Sequence, residues 1–504
     1  MKKYVLILLS LVLILTICTA GNAEEKHILT IAQSMDIITF DPQNSFHTPT
    51  DTVISNIFSH LFERTANNDI VPDIAESIEN IDETTWRVKI KSGIKFHNGD
   101  PLTSEDVKFT FERVSTDEKL QVNPYYRAIK EVRVIDELNF DFITDGPLPT
   151  MKTLTAFSGS WILPKNYIET NGWDHFLSNP VGSGPYKFKE WIRDAHVVLE
   201  PFEDYFKGKV TEWDEVVFRS IPESSSRVGE LLTGGVDIAL NIPPNEWQRI
   251  GESDACSLVY GDTSHVVVLI LRLTEGWVTA DPKVREAIEL AIDTQTICSA
   301  LYKGSATPTR TRMTPGVFGA QPSLYGQAHY DPQRAKELLA EAGYPDGLDL
   351  TMNAGRGRHI LDGEAAETIA GMLGEVGIRV KLELTDFSTF VNTYRSKSNK
   401  EILMIGLADS LFDCSDSMLH YTFERAEGMT DYRNEETNRL YFEAGKNLDV
   451  EERRAQYQRI QDIVAEERPH IALYQLKSIY GVSNEISFTP FLNERIKVSE
   501  IKRK

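Results

Sequence analysis

A repeated alternation of strand, helix, glycine and strand constrains the fold of this chain most strongly. Residues 216–221 have the β-branched and aliphatic composition of a strand, and the helix predicted over residues 225–232 stops at Gly234 and Gly235. Residues 236–240 return to a strand pattern. A unit of this kind predicts a parallel or mixed sheet with helices packed against it.

The same alternation returns further along the chain. Residues 265–271 are nearly all aliphatic, as expected for a strand that is buried on both faces. Helices are then predicted over residues 282–293, 332–342 and 364–376, and strands over residues 348–351 and 378–384. An earlier helix is predicted over residues 51–61 from its apolar stripe. Two adjacent α/β lobes are the economical interpretation.

Residues 96–114 contain a histidine and several acids that could suggest catalysis. His97 and Asp100 stand in a turn formed around Asn98 and Gly99. Thr103 is placed to cap a following helix, with Asp106 reaching back in an approximate capping box. We therefore predict a structural role for this stretch and no catalytic residue in it.

The N-terminus has the pattern of a secretory signal. A short basic start precedes an apolar run over residues 4–18, and Gly21 and Ala23 fit a cleavage site after Ala23. Residues 1–23 are thus predicted to direct export to the periplasm. Lipid anchoring at the cell surface through Cys18 is the alternative, but Ile17 is bulkier than such a signal normally allows.

The formal net charge of −22 argues against nucleic-acid binding, which needs a basic surface. The cysteines beyond the leader, Cys256, Cys298 and Cys414, are too widely spaced for a metal cluster. We interpret them as small buried hydrophobic residues, although three cysteines can form at most one disulfide.

Four stretches resemble one protein family, in the family's order along the chain. They are residues 96–114, which resemble its signature, 179–186, 281–287 and 330–345. On these motifs the chain resembles the family 5 extracellular solute-binding proteins, the dipeptide-, oligopeptide- and nickel-binding receptors of ABC importers. The resemblance covers nearly the whole chain beyond the leader.

The resemblance implies an α/β fold of the type II periplasmic-binding-protein class, in which two lobes enclose a cleft and a hinge joins them. The expected division is residues 24–60 and 175–264 in lobe I, 61–174 in an inserted extra domain, 265–484 in lobe II, and 485–504 returning to lobe I. Such a monomer would bind a small-molecule or peptide ligand, close, and present it to permease subunits, without chemistry and without a cofactor or metal.

The resemblance also directs attention to Asp409. In peptide-binding relatives an aspartate in the corresponding segment meets the amino group of the ligand, and a buried ammonium needs such a carboxylate. Asp413 and Asp416 lie in the same segment, where Leu407 replaces the usual aromatic residue. Capping of a helix near Met418 is the alternative role for these acids.

Further candidates come from position in the chain. Arg356 and Arg358 follow a predicted strand, whose carboxyl end should face the cleft, and guanidinium suits a ligand carboxylate. Arg312 lies in a loop that resembles a family segment near the cleft, and Arg272 stands where relatives have an aromatic-Asn pair. Phe46 and His47 follow the first strand, and core packing is the favoured role for Phe46.

The departures from the family pattern leave the ligand open. A small peptide or a peptide-like compound with an amine and a carboxylate is the favoured hypothesis. Nickel or a metal chelate is the first alternative, weakened by dispersed histidines without ligand spacing. A secreted hydrolase is the alternative from another class, but neither a Gly-x-Ser-x-Gly elbow in a matching context nor His-Glu-x-x-His is present.

Overall fold

The computed structural model describes residues 26–504, so the predicted leader lies outside the described residues. A mixed sheet of eleven strands runs through both lobes, and a separate four-stranded antiparallel sheet belongs to the inserted domain. This confirms the predicted α/β fold with an extra domain. The domain boundaries assigned from the sequence stay a prediction.

The strands, in chain order, have the following bounds. They are β1 Ile28–Gln33, β2 Phe62–Arg64, β3 Ile70–Pro72, β4 Ala75–Asp82, β5 Thr85–Ile90, β6 Ile129–Val134, β7 Asn139–Thr144, β8 Tyr186–Ile192, β9 His196–Pro201, β10 Glu215–Ser220, β11 Ile238–Leu240, β12 Cys256–Leu271, β13 Ala306–Pro308, β14 Leu348–Arg356, β15 Ile378–Asp386, β16 Ile402–Leu407, β17 His470–Ser483, β18 Ile486–Ser487 and β19 Lys502–Arg503.

The α-helices have the following bounds. They are α1 Thr48–Ile57, α2 Ser104–Thr116, α3 Asn123–Tyr126, α4 Met151–Leu154, α5 Lys165–Asn171, α6 Trp173–Ser178, α7 Ser224–Leu232, α8 Trp247–Gly251, α9 Pro282–Ala291, α10 Thr294–Thr296, α11 Pro332–Glu341, α12 Asp362–Glu375, α13 Phe387–Arg395, α14 Cys414–Met418, α15 Phe423–Ala426, α16 Glu435–Ala444 and α17 Val450–Glu467. Short 3₁₀ turns occur at Pro244–Glu246, Val278–Ala280, Pro322–Leu324, Leu419–Tyr421 and Val498–Glu500, and a π turn occurs at Ile297–Leu301.

Two long strands, β12 and β17, connect the lobes. They pair antiparallel from Cys256 with Ser483 to Ile270 with His470. In the second lobe β12 also pairs with β16, and in the first lobe β17 also pairs with β11. The regular pairing is interrupted between Asp262 and Val266. The two strands therefore pass from one lobe to the other at this interruption.

Both lobes contain the predicted parallel pairing. In the first lobe β1 lies between β10 and β11 and runs parallel to both, so that β10, α7 and β11 form a strand-helix-strand unit around it. In the second lobe β14 lies between β15 and β16 and runs parallel to both. The carboxyl ends of β14 and β16 thus lie side by side.

The helix predicted over residues 51–61 is wrong at both ends. The α1 helix begins at Thr48 with a proline in its first turn, and it ends before Phe58, whose backbone is extended at φ −116° and ψ 152°. Phe58 and Leu61 are nevertheless buried. The apolar stripe therefore predicted burial correctly but not the helical conformation.

The turn at His97 docks onto the 179–186 segment. The Gly182 N–H donates to His97 Nδ1 at 3.3 Å, and His97 Nε2–H donates to the Gly184 carbonyl at 3.1 Å. Burial lowers the pKa of His97 to about 4. In the helix that follows, the Asp106 carboxylate accepts the Thr103 N–H at 2.9 Å, which confirms the capping box. The stretch is structural, as the capping argument predicts.

Gly182 lies so close to α1 that a Cβ atom there would be 2.1 Å from the Ile57 carbonyl oxygen. We expect Gly182→Ala to lower the free energy of unfolding by about 3 kcal/mol, because backbone rather than a flexible side chain must move. Urea unfolding measures the change. Gly146→Ala is the matched control, since nothing lies within 4 Å of a Cβ at that position. Equal stability of the two variants would contradict the close approach.

Candidate functional site

A cleft of about 290 Å³ lies between the lobes. Its walls come from the end of the β1–α1 loop, the inserted domain, the loops that follow β14 and β16, and the returning C-terminal segment. The carboxyl ends of neighbouring parallel strands are where open α/β sheets usually bind ligands. The volume is at the small end of the range for small-molecule sites.

Asp409 follows β16 and lines the cleft with only 1% of its surface exposed. Its Oδ1 accepts the Asp413 N–H at 3.0 Å, and its Oδ2 is buried without a hydrogen bond of ordinary geometry, although the Ser417 side chain lies beside the carboxyl group and favours its charged form. Burial, with the negative charges of Asp416 and Asp413, raises the pKa of Asp409 to about 8. Within residues 26–504 no cationic side chain lies within 4.0 Å of it. The carboxyl group therefore forms no ion pair in the described residues, and the Arg64 guanidinium acts on it only from a longer distance.

The two arginines after β14 are in different environments. Arg358 lines the cleft, and its guanidinium lies 5.8 Å from the centre of the Phe387 ring. Arg356 is exposed and binds Asp386 at 3.1 Å. Arg358 is thus available to a ligand, whereas Arg356 is engaged in a surface ion pair away from the cleft lining.

Phe46 lines the cleft and is 42% exposed, which differs from the core packing favoured for it on the sequence. Its ring packs edge to face on Tyr125 at 5.8 Å and against Phe157 at the same distance. His47 does not line the cleft; it flanks the start of α1, where its Nδ1 lies 2.8 Å from Thr50 Oγ1. Burial lowers the pKa of His47.

Three further candidates have structural partners outside the cleft lining. Asp413 forms a buried bidentate ion pair with Arg453 at 2.9 and 2.5 Å, and it caps α14 through the Ser415 N–H. Arg272 donates to the carbonyls of Lys397 and Gly428, both at 3.0 Å. Arg312 is 4% exposed and contacts only Ser417, at 3.4 Å, among the hydrogen-bond partners of the described chain.

Several cleft residues were missed on the sequence. Arg495 binds Asp51 at 3.0 Å, and Glu494 lies 3.2 Å from His265 Nε2. Glu494 and Arg495 belong to the returning segment, more than 200 residues from their partners. A run of polar residues between Leu492 and Ile496 was the available signal. This run indicates a polar site in the segment, but it does not predict that Asp51 and His265 are its partners.

Other features bear on the kind of protein. In residues 26–504 no group of three or more His, Cys, Asp or Glu side chains is arranged to hold a metal ion. Cys256, Cys298 and Cys414 are buried and unpaired, as interpreted from the sequence. The described helices include none that is long and apolar enough to cross a bilayer.

Comparisons with known proteins agree with this architecture. The family model described as bacterial extracellular solute-binding proteins, family 5, middle, matches residues 69–428. The oligopeptide-binding protein AppA of Bacillus subtilis (strain 168) is 25% identical over an alignment of 484 residues, and the match covers 90% of this chain and 87% of the relative. The glutathione-binding protein GsiB of Salmonella paratyphi A is 24% identical over an alignment of 468 residues, and the match covers 91% of this chain and 90% of the relative.

A solved structure shares the fold. The periplasmic binding protein DppA from Helicobacter pylori, in complex with the peptide STSA, has a TM-score of 0.73 at 23% identity. The match covers 95% of this chain and 98% of that chain. The two-lobed arrangement with the extra antiparallel sheet is therefore that of a known binding-protein fold.

Asp409 and Asp413 should have opposite effects on stability when each is changed to Asn. The pKa of Asp409 is raised from 3.8 to about 8, so the folded chain holds the proton more tightly and stability falls as the pH rises through this window. We expect Asp409→Asn to raise the Tm at pH 8 by about 2–4 °C, with a smaller gain at pH 5. Thermal unfolding at both pH values measures it.

Asp413→Asn is the matched comparison, because it leaves the Arg453 guanidinium buried without its partner. We expect a loss of about 3–5 kcal/mol in the free energy of unfolding. A ligand-free Asp409→Asn protein that is less stable than the unchanged protein at pH 8 would show that Asp409 is compensated.

Proposed function

We propose that this chain, which belongs to the bacterial extracellular solute-binding proteins of family 5, captures a small peptide or peptide-like solute in its cleft and delivers it to a membrane permease. The family consists of binding proteins of ABC importers for peptides and related solutes rather than of enzymes. Its members are extracellular or periplasmic, in agreement with the predicted leader.

The unpartnered Asp409 carboxyl oxygen is the observation that carries the proposal. A buried acceptor without a cation is costly in the empty protein, and a ligand ammonium would supply both the hydrogen bond and the charge. Because β14 and β16 are adjacent, Arg358 approaches the same cleft from the neighbouring strand end. The pair is complementary to a solute with an amine and a carboxylate.

The aromatic wall supports an amino-acid-like ligand. Phe46, Tyr125 and Phe157 contact one another and all line the cleft, so they offer an apolar surface beside the charged groups. An exposed aromatic ring is suited to packing against a ligand side chain. A peptide has both parts, whereas a bare metal ion would use neither the ring surface nor the arginine.

Delivery to the permease would follow closure of the lobes. Hinge motion around a bound ligand is a recognised mode for two-lobed receptors, and here β12 and β17 supply the connection. We expect the protein to act as a monomer, with permease subunits in the membrane as its partners.

The first experiment is mass spectrometry of the solute that co-purifies with the full chain, followed by calorimetric titration. The titration panel holds dipeptides, oligopeptides, glutathione, opines and a nickel-histidine chelate. Binding of one of the amine- and carboxylate-bearing organic solutes, recovered unchanged after incubation, is expected. Binding of the chelate alone, or of no member of the panel, would reject the proposal, and recovery of a cleaved solute would indicate a hydrolase.

Two arginines only two residues apart provide a matched test of the ligand carboxylate. We expect Arg358→Ala to raise the Kd for the identified solute about tenfold, because a charged hydrogen bond is lost. Arg356→Ala should leave the Kd unchanged, because that side chain binds Asp386 at the surface. Titration calorimetry measures both, and equal losses in the two variants would place the carboxylate elsewhere.

The pH dependence tests the ligand amine. An ammonium binds the ionised form of Asp409, whose pKa is about 8 in the empty cleft. Affinity should therefore rise by about tenfold per pH unit from pH 5 to 7 and level off near pH 8. Asp409→Asn should weaken binding by roughly 100-fold at pH 8 and remove the slope. A pH-independent Kd in the unchanged protein would show that Asp409 does not meet a cation.

A further inference from the structure

A second cavity of about 330 Å³ lies between the first lobe and the inserted domain. It adjoins the ligand cleft, since Arg64, Ala156, Asn493 and Arg495 line both spaces. Its other walls come from the end of α1, the start of β8, the loop before β10 and the C-terminal segment. None of these walls belongs to the second lobe, so the cavity is separate from the cleft that closes between the lobes.

The cavity is basic in an acidic protein. The chain carries a formal net charge of −22, yet the basic residues that line this cavity outnumber the acidic ones. The basic residues are Arg64, Lys207, Lys209, Arg495, Lys497 and Lys502, and the acidic ones are Glu63, Asp73, Glu212 and Glu500.

The ion pairs in the cavity do not include the guanidinium of Arg64. Lys207 and Lys497 both bind Glu63, at 2.6 and 2.5 Å, and Lys207 also lies 2.6 Å from Asp73. Arg64 donates to Asn68 Oδ1 at 3.1 Å and to the Leu411 carbonyl at 2.9 Å. In the described chain it has no carboxylate within 4.0 Å, and the charges of Asp413 and Asp409 act on it from a longer distance. A buried cation of this kind favours a bound anion.

Two buried polar atoms in this cavity lack a partner. Trp161 is fully buried, and its Nε1–H, which can only donate, has no acceptor. The ring of His60 stacks on Trp161 at 4.6 Å, and His60 Nε2 is likewise buried without a partner. Two residues that line the cavity therefore hold a donor and a second ring nitrogen that lack partners.

The hydrogen bonds around His60 determine what that nitrogen can do. Ser160 Oγ donates its single proton to the Phe157 carbonyl at 2.8 Å, so His60 Nδ1 must carry the proton that it shares with Ser160 Oγ at 2.9 Å. His60 Nε2 is then an acceptor in the neutral ring. Burial, together with Arg495, Lys497 and Arg64, lowers the pKa of His60 well below its usual value, so the ring stays neutral at pH 7.

We infer that this cavity binds a phosphate group that carries a proton, either as inorganic hydrogen phosphate or at the end of a phosphorylated solute. The anionic oxygens accept from Trp161 Nε1–H and interact with Arg64, and the phosphate hydroxyl donates to His60 Nε2. Sulfate has the same shape but no proton at neutral pH, so it would place an oxygen lone pair against the lone pair of His60 Nε2.

The test is titration calorimetry at pH 7 on the full chain after dialysis against a phosphate-free buffer, with inorganic phosphate, sulfate and glycerol phosphate as probes. We expect phosphate to bind at least about tenfold more tightly than sulfate. Phosphate and glycerol phosphate are also titrated at pH 6, because a phosphate monoester, with a second pKa of about 6, is mostly without its hydroxyl at pH 7. Equal affinity of the two at pH 6 would identify a phosphorylated solute, and binding of inorganic phosphate alone would identify the free ion. No phosphate binding, or equal affinity for sulfate, would overturn the inference.

Two tryptophan variants locate the site. Trp161→Phe keeps an aromatic ring but removes the donor, and it should weaken phosphate binding by about tenfold. Trp86→Phe is the matched control, because Trp86 Nε1 is also buried without a partner but lines neither cavity. Equal phosphate affinity in the Trp161→Phe and unchanged proteins would place the anion elsewhere. The Asp409→Asn variant should bind phosphate with unchanged affinity. Failure of the proposed peptide function would therefore leave phosphate binding intact, and failure of the phosphate inference would leave peptide binding intact.

Discussion

The pairing of β12 with β17 is the constraint on which the rest of the structure depends. One antiparallel pair contributes to the sheets of both lobes, and its regular register is lost at residues 263–265. Ser264 and His265 line the ligand cleft at this point, and His265 lies 3.2 Å from Glu494 of the returning segment. The position of the cleft is therefore a consequence of where these strands cross.

Each lobe has an apolar core of its own, which allows the lobes to move relative to each other about the crossing strands. The second lobe packs around Leu269 and Leu271, the first lobe around Leu29 and Ile31, and the inserted domain has a core of its own. Lobes with independent cores can rotate about their connection without exposing core surface. Two exceptions are Leu411, which leaves the second lobe to pack in the core of the inserted domain, and Leu492 of the returning segment, which packs with second-lobe residues such as Phe412. Motion of the lobes must therefore accommodate these two contacts.

Periodicity predicted the elements, but contacts distant in sequence determine the site. The strand-helix-strand unit was predictable because each part has a local pattern, whereas α1 was misplaced because burial of Phe58 and Leu61 does not require a helix. Because both residues follow the same predicted strand, the sequence predicted Arg356 and Arg358 equally as ligand-binding residues. Only the packing of Phe387 and the ion pair with Asp386 separate them. The pairing of Asp51 with Arg495 spans 444 residues and has no local signal.

Asp409 and Asp413 show why residue type alone could not define the site. Both are buried carboxylates in one short segment, four residues apart, but Asp413 faces Arg453 and Asp409 faces other acids. The first contributes to folding, while the second opposes it until a cation arrives. Under the proposed function, a ligand ammonium would stabilise only the charged form of Asp409, so the burial that destabilises the ionised carboxylate in the empty cleft would also favour a cationic group. The cost in stability and the proposed preference for an amine would then have one physical cause, the burial of Asp409 among other acids.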